Sequence, residues 1–133
     1  MKFIRSTSSH DLREFVRDWV ALLANGQFED ARSWLYRSER FSAADLQRAI
    51  QENSTREDQA HGIQVTDPRL LSPDGERFSV VELIKRDAHG RTVHDIDYYL
   101  PINERWSSTR MTFFVREIET GKFVLELTGI SSS

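Results

Sequence analysis

The feature that most constrains this chain is a change in the spacing of its apolar residues, about halfway along the sequence. Over residues 8–53, apolar side chains recur every three or four positions, the period of a helix with one buried face. After Gly75 they alternate with polar residues in short runs rich in Val, Ile, Phe, Tyr and Thr, the period of a strand. The 133 residues therefore predict a single α+β domain, 1–133, with helices first and a sheet afterwards.

The first predicted helix has clear boundaries. Ser8, followed three residues later by Asp11, is typical of a helix N-cap. The pair Asn25-Gly26 supplies a left-handed stop. The predicted buried stripe of this helix consists of Leu12, Phe15, Val16, Trp19, Val20 and Leu23.

Two shorter helices complete a helical layer of about three elements. One is predicted from Gln27 to about Tyr36. Another begins at Ser42, which forms a capping-box sequence with Asp45, and ends by Asn53. Residues 55–60 are polar and without period, so we predict a loop there.

Turn residues divide the second half into four or five strands. Their predicted ranges are about 62–67, 76–87, 91–100, 107–118 and 122–130, followed by a disordered tail at 131–133. The last four have short connections and are predicted to be antiparallel neighbours. A curved antiparallel sheet under a helical layer makes a two-layer, cone-like domain.

The turns also predict how the strands pair. A three-residue loop ending at Gly121 pairs Glu117 with Phe123 and puts apolar side chains together on one face. The same loop ending at Gly90, with His89 in the turn, predicts a second set of pairs. These are Ile84 with His94, Glu82 with Ile96, Val80 with Tyr98 and Phe78 with Leu100. A two- or four-residue loop would instead set Glu82 opposite Asp97 or Asp95.

Three polar groups interrupt the apolar face that this register predicts: Glu82, His94 and the Tyr98 hydroxyl. Burial raises the pKa of a carboxyl group and a neighbouring imidazolium lowers it, so such a set suits acid–base chemistry or the binding of a polar ligand. A satisfied polar cluster at the rim of the sheet is the alternative. These residues are the candidate catalytic set.

Other candidates lie on the same strands. Asp95 and Asp97 share a strand face and point either to a solvated surface or to a cation site. The candidate binding residues are Trp106, Arg105, Arg110 and Tyr99. Trp106 is predicted in a loop, where it would either anchor an interface or plug the end of the sheet. The remaining histidines have no metal-ligand spacing, so no metal and no cofactor are predicted.

Composition excludes several functions. The chain has no cysteine, which excludes a thiolate nucleophile, a disulfide scaffold and a Cys-ligated zinc. Its net charge is −3, spread evenly along the sequence, which argues against nucleic-acid binding. The longest apolar run, 19–24, is far too short to span a membrane. A cytoplasmic location is predicted.

Two resemblances add to these predictions. The segment 15–35, a helix followed by a Gly-containing corner and a second helix, resembles the opening of the cone-shaped superfamily of nuclear transport factor two and ketosteroid isomerase. The segments 40–50, 106–112 and 123–130 resemble an uncharacterised family of small bacterial domains. The superfamily resemblance implies a pocket on the concave sheet face, in or near which Glu82, His94 and Tyr98 would lie. No residue here matches the superfamily's catalytic aspartate.

Three hypotheses for function follow. The first is a bacterial binding module, possibly of the immunity type, for a protein partner or a small ligand. The second is an isomerase- or dehydratase-like enzyme with Glu82 or His94 as base and Tyr98 as donor. The third is a homodimer formed through the back of the sheet. An enzyme requires a closed, apolar pocket of about 300 Å³, whereas a partner-binding module requires a filled cone and an exposed Trp106.

Overall fold

The computed structural model describes residues 1–88 and 90–132, and within them four α-helices precede four strands. The helices are α1 (Ser9–Ala24), α2 (Phe28–Ser33), α3 (Ala43–Glu52) and α4 (Arg56–His61). The strands are β1 (Phe78–Asp87), β2 (Gly90–Ile102), β3 (Arg105–Glu119) and β4 (Lys122–Ser132). They form a curved, unclosed antiparallel sheet in the order β1-β2-β3-β4, which confirms the predicted α+β fold class.

Helix α1 forms as its sequence predicts. The Ser8 hydroxyl accepts a hydrogen bond from the Asp11 backbone N–H and caps the first turn. Gly26 has a φ of 74°, a left-handed conformation that ends the helix. All six residues of the predicted stripe are buried. This stripe faces the sheet and forms one side of the core.

The other helices depart from the prediction in length and number. Helix α2 ends at Ser33, three residues earlier than predicted. Ser42 and Asp45 make both hydrogen bonds of a capping box at the start of α3. The predicted loop at 55–60 is wrong, because Thr55 caps a short helix, α4, through the Asp58 backbone N–H. A helix this short has no apolar stripe by which periodicity could reveal it.

The sheet also differs at both of its sequence boundaries. Residues 62–67 do not form a strand, and only Val65 makes a single antiparallel bridge, to Ile102. At the other end, β4 continues through Ser132, which pairs with Thr109. Residues 131 and 132 are therefore in the sheet and not in the predicted disordered tail. Ser133 lies outside the described residues.

The β3–β4 hairpin has the predicted register. Glu117 pairs with Phe123, Val115 with Leu125 and Phe113 with Leu127. Gly121 has a φ of 75°, as the predicted left-handed turn position requires.

The β1–β2 register is wrong by two residues. Glu82 pairs with His94, and the neighbouring pairs are Val80 with Ile96 and Phe78 with Tyr98. The strands pair up to Asp87 and Gly90, and the register shifts by one residue between Glu82 and Lys85. His89, which the prediction placed in the turn, lies outside the described residues. At residues 78–82 the error is two, so these residues and their partners keep their predicted face of the sheet.

The core lies between α1 and the concave face of the sheet. Trp19 is fully buried at its centre, and its ring packs edge-on against Phe113 with 5.3 Å between ring centroids. The indole N–H donates to the Ala31 carbonyl at 2.8 Å, which ties α1 to α2. Tyr98 and Met111 are also fully buried, so the inside of the curved sheet is filled by side chains.

Replacing Trp19 by alanine should remove the largest contact between the helices and the sheet. We expect Trp19→Ala to lower the free energy of unfolding by about 3–5 kcal/mol, from the lost burial and the cavity left behind. Urea unfolding followed by far-UV circular dichroism measures this. Gln47→Ala, at an exposed position of α3, is the control and should change stability by less than about 0.5 kcal/mol. A similar loss in both variants would contradict this account of the core.

Candidate functional site

A groove of about 310 Å³, open to solvent, lies where the start of α1 meets strands β1 and β2. The segment at the start of α1 contributes hydroxyl groups and one guanidinium, and the two strands contribute two apolar side chains, a carboxylate and an imidazole. The lining residues are Thr7, Ser9, Arg13, Phe78, Val80, Glu82 and His94. Two predicted candidates, Glu82 and His94, are therefore in one groove.

The observed register brings these two residues directly opposite each other. Their Cα atoms are paired across β1 and β2, where side chains on the same face are neighbours. Glu82 is exposed, whereas His94 is half-buried. The Nδ1 atom of His94 is buried and has no hydrogen-bond partner among the described residues. The groove thus contains an exposed carboxylate beside an imidazole nitrogen whose hydrogen-bonding capacity is unused among the described residues.

Arg13 is the cationic group of the groove. Its Nε atom is also buried and makes no hydrogen bond within residues 1–88 and 90–132. The Glu76 carboxylate lies 3.7 Å from this nitrogen, which is too far for a hydrogen bond. The guanidinium carbon lies 5.1 Å from the centroid of the Phe78 ring, a distance that allows a cation–π contact. Arg13 therefore lines the groove while its Nε–H makes no hydrogen bond among the described residues.

Glu76 connects the groove to the core beneath it. Its side chain is only 7% exposed and accepts two hydrogen bonds from Arg17, Nε to Oε2 at 2.8 Å and Nη2 to Oε1 at 2.6 Å. The Tyr98 hydroxyl donates to the same carboxylate at 2.9 Å. This bidentate pair joins α1 to Glu76, two residues before β1, and holds the wall of the groove in place.

The pKa values in this cluster follow from burial and pairing. Burial by itself raises the pKa of Glu76. Hydrogen bonds from Arg17 and Tyr98 and the charges of Arg17 and Arg13 outweigh this effect, so that the pKa lies below its ordinary value of 4.5. Burial, followed by the negative charge of Glu76, raises the pKa of Tyr98 far above its ordinary value. The hydrogen bond to Glu76 raises the pKa of Arg17. The carboxylate stays charged and the phenol stays protonated at neutral pH.

The structure thus brings together part of the predicted set. Glu82 and His94 share the groove, while the Tyr98 hydroxyl is occupied by Glu76 and does not line it. Arg13 and Glu76 were missed by sequence reasoning. The spacing of Arg13 and Arg17 predicts that both lie on one side of α1. Nothing local in the sequence predicts that this side meets a glutamate 59 positions beyond Arg17.

Four other candidates lie on the opposite, convex face of the sheet. They are the acidic pair, Asp95 and Asp97, and two predicted binding residues, Tyr99 and Arg110. Burial raises the pKa of Asp95, the neighbouring Asp97 raises it further, and Arg110 opposes both effects. Arg110 Nε donates to the Ser131 hydroxyl at 3.3 Å. The ring of Tyr99 lies 3.6 Å from the guanidinium carbon of Arg77. Tyr99 and Arg110 therefore pack with neighbouring strands and are remote from the groove.

Trp106 and Arg105 lie at the end of the sheet where β3 begins. Trp106 is half-buried, and its indole N–H donates to the Ser72 carbonyl at 2.9 Å. Its ring packs edge-on against Tyr98, with 6.4 Å between ring centroids. Arg105 pairs with the buried carboxylate of Asp58 at 3.1 Å. Of the two alternatives for Trp106, the geometry favours the plug, and its predicted position in a loop is wrong. The half-buried Trp106 also does not meet the exposed position expected of a partner-binding module.

Two kinds of feature are absent from the described part of the chain, a membrane-spanning helix and a metal-binding group. No helix in ranges 1–88 and 90–132 is long and apolar enough to cross a membrane. The same ranges contain no group of three or more His, Cys, Asp or Glu side chains that could hold a metal ion. His10 and His61 are exposed.

Comparison of the chain with known protein families, curated proteins and solved structures finds no match.

The Glu76 cluster makes stability depend on pH in a defined direction. Because the pKa of Glu76 is lowered on folding, its contribution is complete above the ordinary pKa of 4.5 and is lost as pH falls through the folded value. We expect Glu76→Gln to lower the free energy of unfolding by about 1.5–3 kcal/mol at pH 7. The difference from the original protein should shrink on acidification below pH 4.5. Urea unfolding at several pH values measures it.

The matched control for this experiment is Asp74→Asn, the same loss of charge at an exposed position two residues away. It should cost less than about 0.5 kcal/mol at every pH. If the effect of Glu76→Gln were equally large in acid and at neutral pH, the ionised carboxylate would not be its source.

Proposed function

We propose that this protein is a non-catalytic binding module that recognises an acidic segment of a protein partner through the groove. One observation carries the proposal: Arg13 and His94 line the same open groove, and one buried nitrogen of each, Arg13 Nε and His94 Nδ1, has no hydrogen-bond partner in the described chain. A buried polar atom without a partner costs free energy, which a complementary group on a ligand recovers. Carboxylate oxygens are the strongest acceptors for such nitrogens.

Charge around the groove favours an acidic partner. Arg91 of β2 has a further buried Nε without a hydrogen bond among the described residues, and this nitrogen lies 3.7 Å from the Glu117 carboxylate. Lys85 and Arg86 are exposed at the end of β1. The one carboxylate in the groove, Glu82, is exposed and hydrated. Complementary charge of this kind steers association and selects partners.

A protein fits the shape of the site better than a small molecule. Small-ligand pockets enclose most of the ligand surface, whereas this groove is open along its length. Below the groove, Ile96 and Tyr98 are fully buried, so no enclosed space extends from it into the cone. Beyond Glu82, β1 carries exposed apolar side chains, among them Ile84, which enlarge the surface that a protein partner could contact.

The same geometry weighs against the isomerase- or dehydratase-like alternative. That chemistry needs a base and a hydrogen-bond donor around one substrate, shielded from water. In that hypothesis the Tyr98 hydroxyl is the donor to the substrate. The hydroxyl instead donates a hydrogen bond to Glu76, and its raised pKa keeps it protonated there. Glu82 is exposed to solvent beside the groove.

Selection from a random peptide library with the immobilised protein tests the proposal. We expect the enriched peptides to be rich in Asp and Glu, and their affinity to fall with rising salt. For an enriched peptide, Arg13→Gln should weaken binding about tenfold or more, because a charge-assisted hydrogen bond is worth about 1.5–3 kcal/mol. Glu82→Gln should strengthen binding, since it removes a repulsive carboxylate. Calorimetric titration measures both.

The matched control is Arg48→Gln, the same substitution at an exposed position of α3, where the arginine pairs with Asp45 outside the groove. It should leave the peptide affinity unchanged. Enrichment of peptides without acidic residues, or equal affinities for the original protein and Arg13→Gln, would overturn the proposal.

A further inference from the structure

The outer edge of the sheet at β1 differs from the edge at β4. At β4, Ile4 N–H donates to the Phe123 carbonyl at 2.8 Å and Tyr36 N–H to the Leu125 carbonyl at 2.8 Å, so neighbouring segments cover the first half of that edge. No backbone hydrogen bond among the described residues joins another segment to the outer edge of β1 along residues 78–86. An uncovered edge of this length is a template for pairing with another strand.

The exposed part of β1 is also apolar. Val81 is 61% exposed, Leu83 37% and Ile84 65%, and together they are half of the six large exposed apolar residues of the described chain. Natural edge strands of monomers usually avoid such a combination of length, exposure and apolar side chains. A partner strand would cover these side chains and use the unpaired backbone groups at the same time.

The backbone groups that a partner needs follow from the pairing with β2. Tyr99 N–H donates to the Arg77 carbonyl at 3.2 Å. In an antiparallel pair, alternate residues therefore direct their N–H and C=O groups away from β2, beginning with Phe78, Val80 and Glu82. A second strand that adds antiparallel to this edge would continue the sheet.

We propose that the occupant of this edge is a second copy of the same chain, paired antiparallel β1 to β1 about a two-fold axis at Ile84. In this register each Glu82 faces Arg86 of the second copy, so that two ion pairs flank the central Ile84 contact. Leu83 lies against the aliphatic stem of the opposite Lys85. Registers centred on Glu82 or Lys85 would instead place like charges opposite each other.

The one-residue register shift between Glu82 and Lys85 lies at the proposed two-fold axis, so each copy presents the same irregular backbone there. The dimer differs from one formed through the back of the sheet, because Asp95 and Asp97 remain outside its contact. The concave faces of both copies join into one surface, with a groove on each side of the axis.

Sedimentation velocity over a concentration series tests the inference on the complete chain. We expect the original protein to shift from monomer towards dimer as concentration rises, and Glu82→Arg and Arg86→Glu each to remain monomeric, because each homodimer would contain two like-charge pairs. Mixing the two variants should restore a dimer that contains one copy of each, since both ion pairs re-form, one with its original sign and one with reversed sign. Circular dichroism of each variant verifies that it is folded.

The matched control is Glu57→Arg, the same charge reversal at an exposed position of α4, which should associate like the original protein. Three outcomes would overturn the inference: a monomer at every concentration, a dimer that persists in both single variants, or a mixture that stays monomeric. None of these outcomes depends on the acidic-peptide experiment, so failure of one proposal leaves the other to its own test.

Discussion

Burial of the apolar stripe of α1 against the concave face of the sheet is the contact on which the remaining structure depends. Trp19 occupies its centre and reaches both Phe113 of β3 and the backbone of α2. Once this stripe is buried, the helical period leaves Arg13 beside Phe78 of β1 and Arg17 beside Glu76, just ahead of that strand. The position of the groove is therefore a consequence of how the core is packed.

The filled core also separates the roles of the polar residues. Tyr98 and Glu76 have their hydrogen-bonding capacity used inside the protein, where they join the helix to the sheet. His94 and Arg13, at the rim, retain nitrogens without partners. The groove therefore has polar groups available for a second molecule and is open to solvent. This division is the reason for the binding proposal.

The strand order adds a second asymmetry. The edge at β4 is covered in part by segments from the N-terminal half of the chain, whereas within the described part of the chain no backbone hydrogen bond covers the edge at residues 78–86 of β1. The end of the β1–β2 hairpin is nevertheless held in place, because Asp87 pairs with Arg116, which in turn pairs with the buried Glu126. An anchored, uncovered strand is better suited to pairing than a mobile one, since less conformational entropy is lost on association.

The features predicted correctly from the sequence are those governed by neighbouring residues. The cap at Ser8, the buried stripe of α1, the capping box at Ser42 and the β3–β4 register all follow from spacing within a few positions or one turn. The faces of β1 and β2 were also predictable, because alternation survives a shift of two residues.

Tertiary structure decided the rest. The pairing of Asp87 with Gly90 and the one-residue register shift in β1 together changed the partner of Glu82 from Ile96 to His94, and the curvature of the sheet under α1 brought Glu76 to Arg17 and Tyr98. These contacts join residues separated by up to 59 positions, so their partners are selected by the packing of whole elements. The sequence by itself determined which side chains are buried on each helix and strand. Only the folded chain determined which polar groups meet, because hydrogen bonds and ion pairs form over a few ångströms after hydrophobic packing has set the distances.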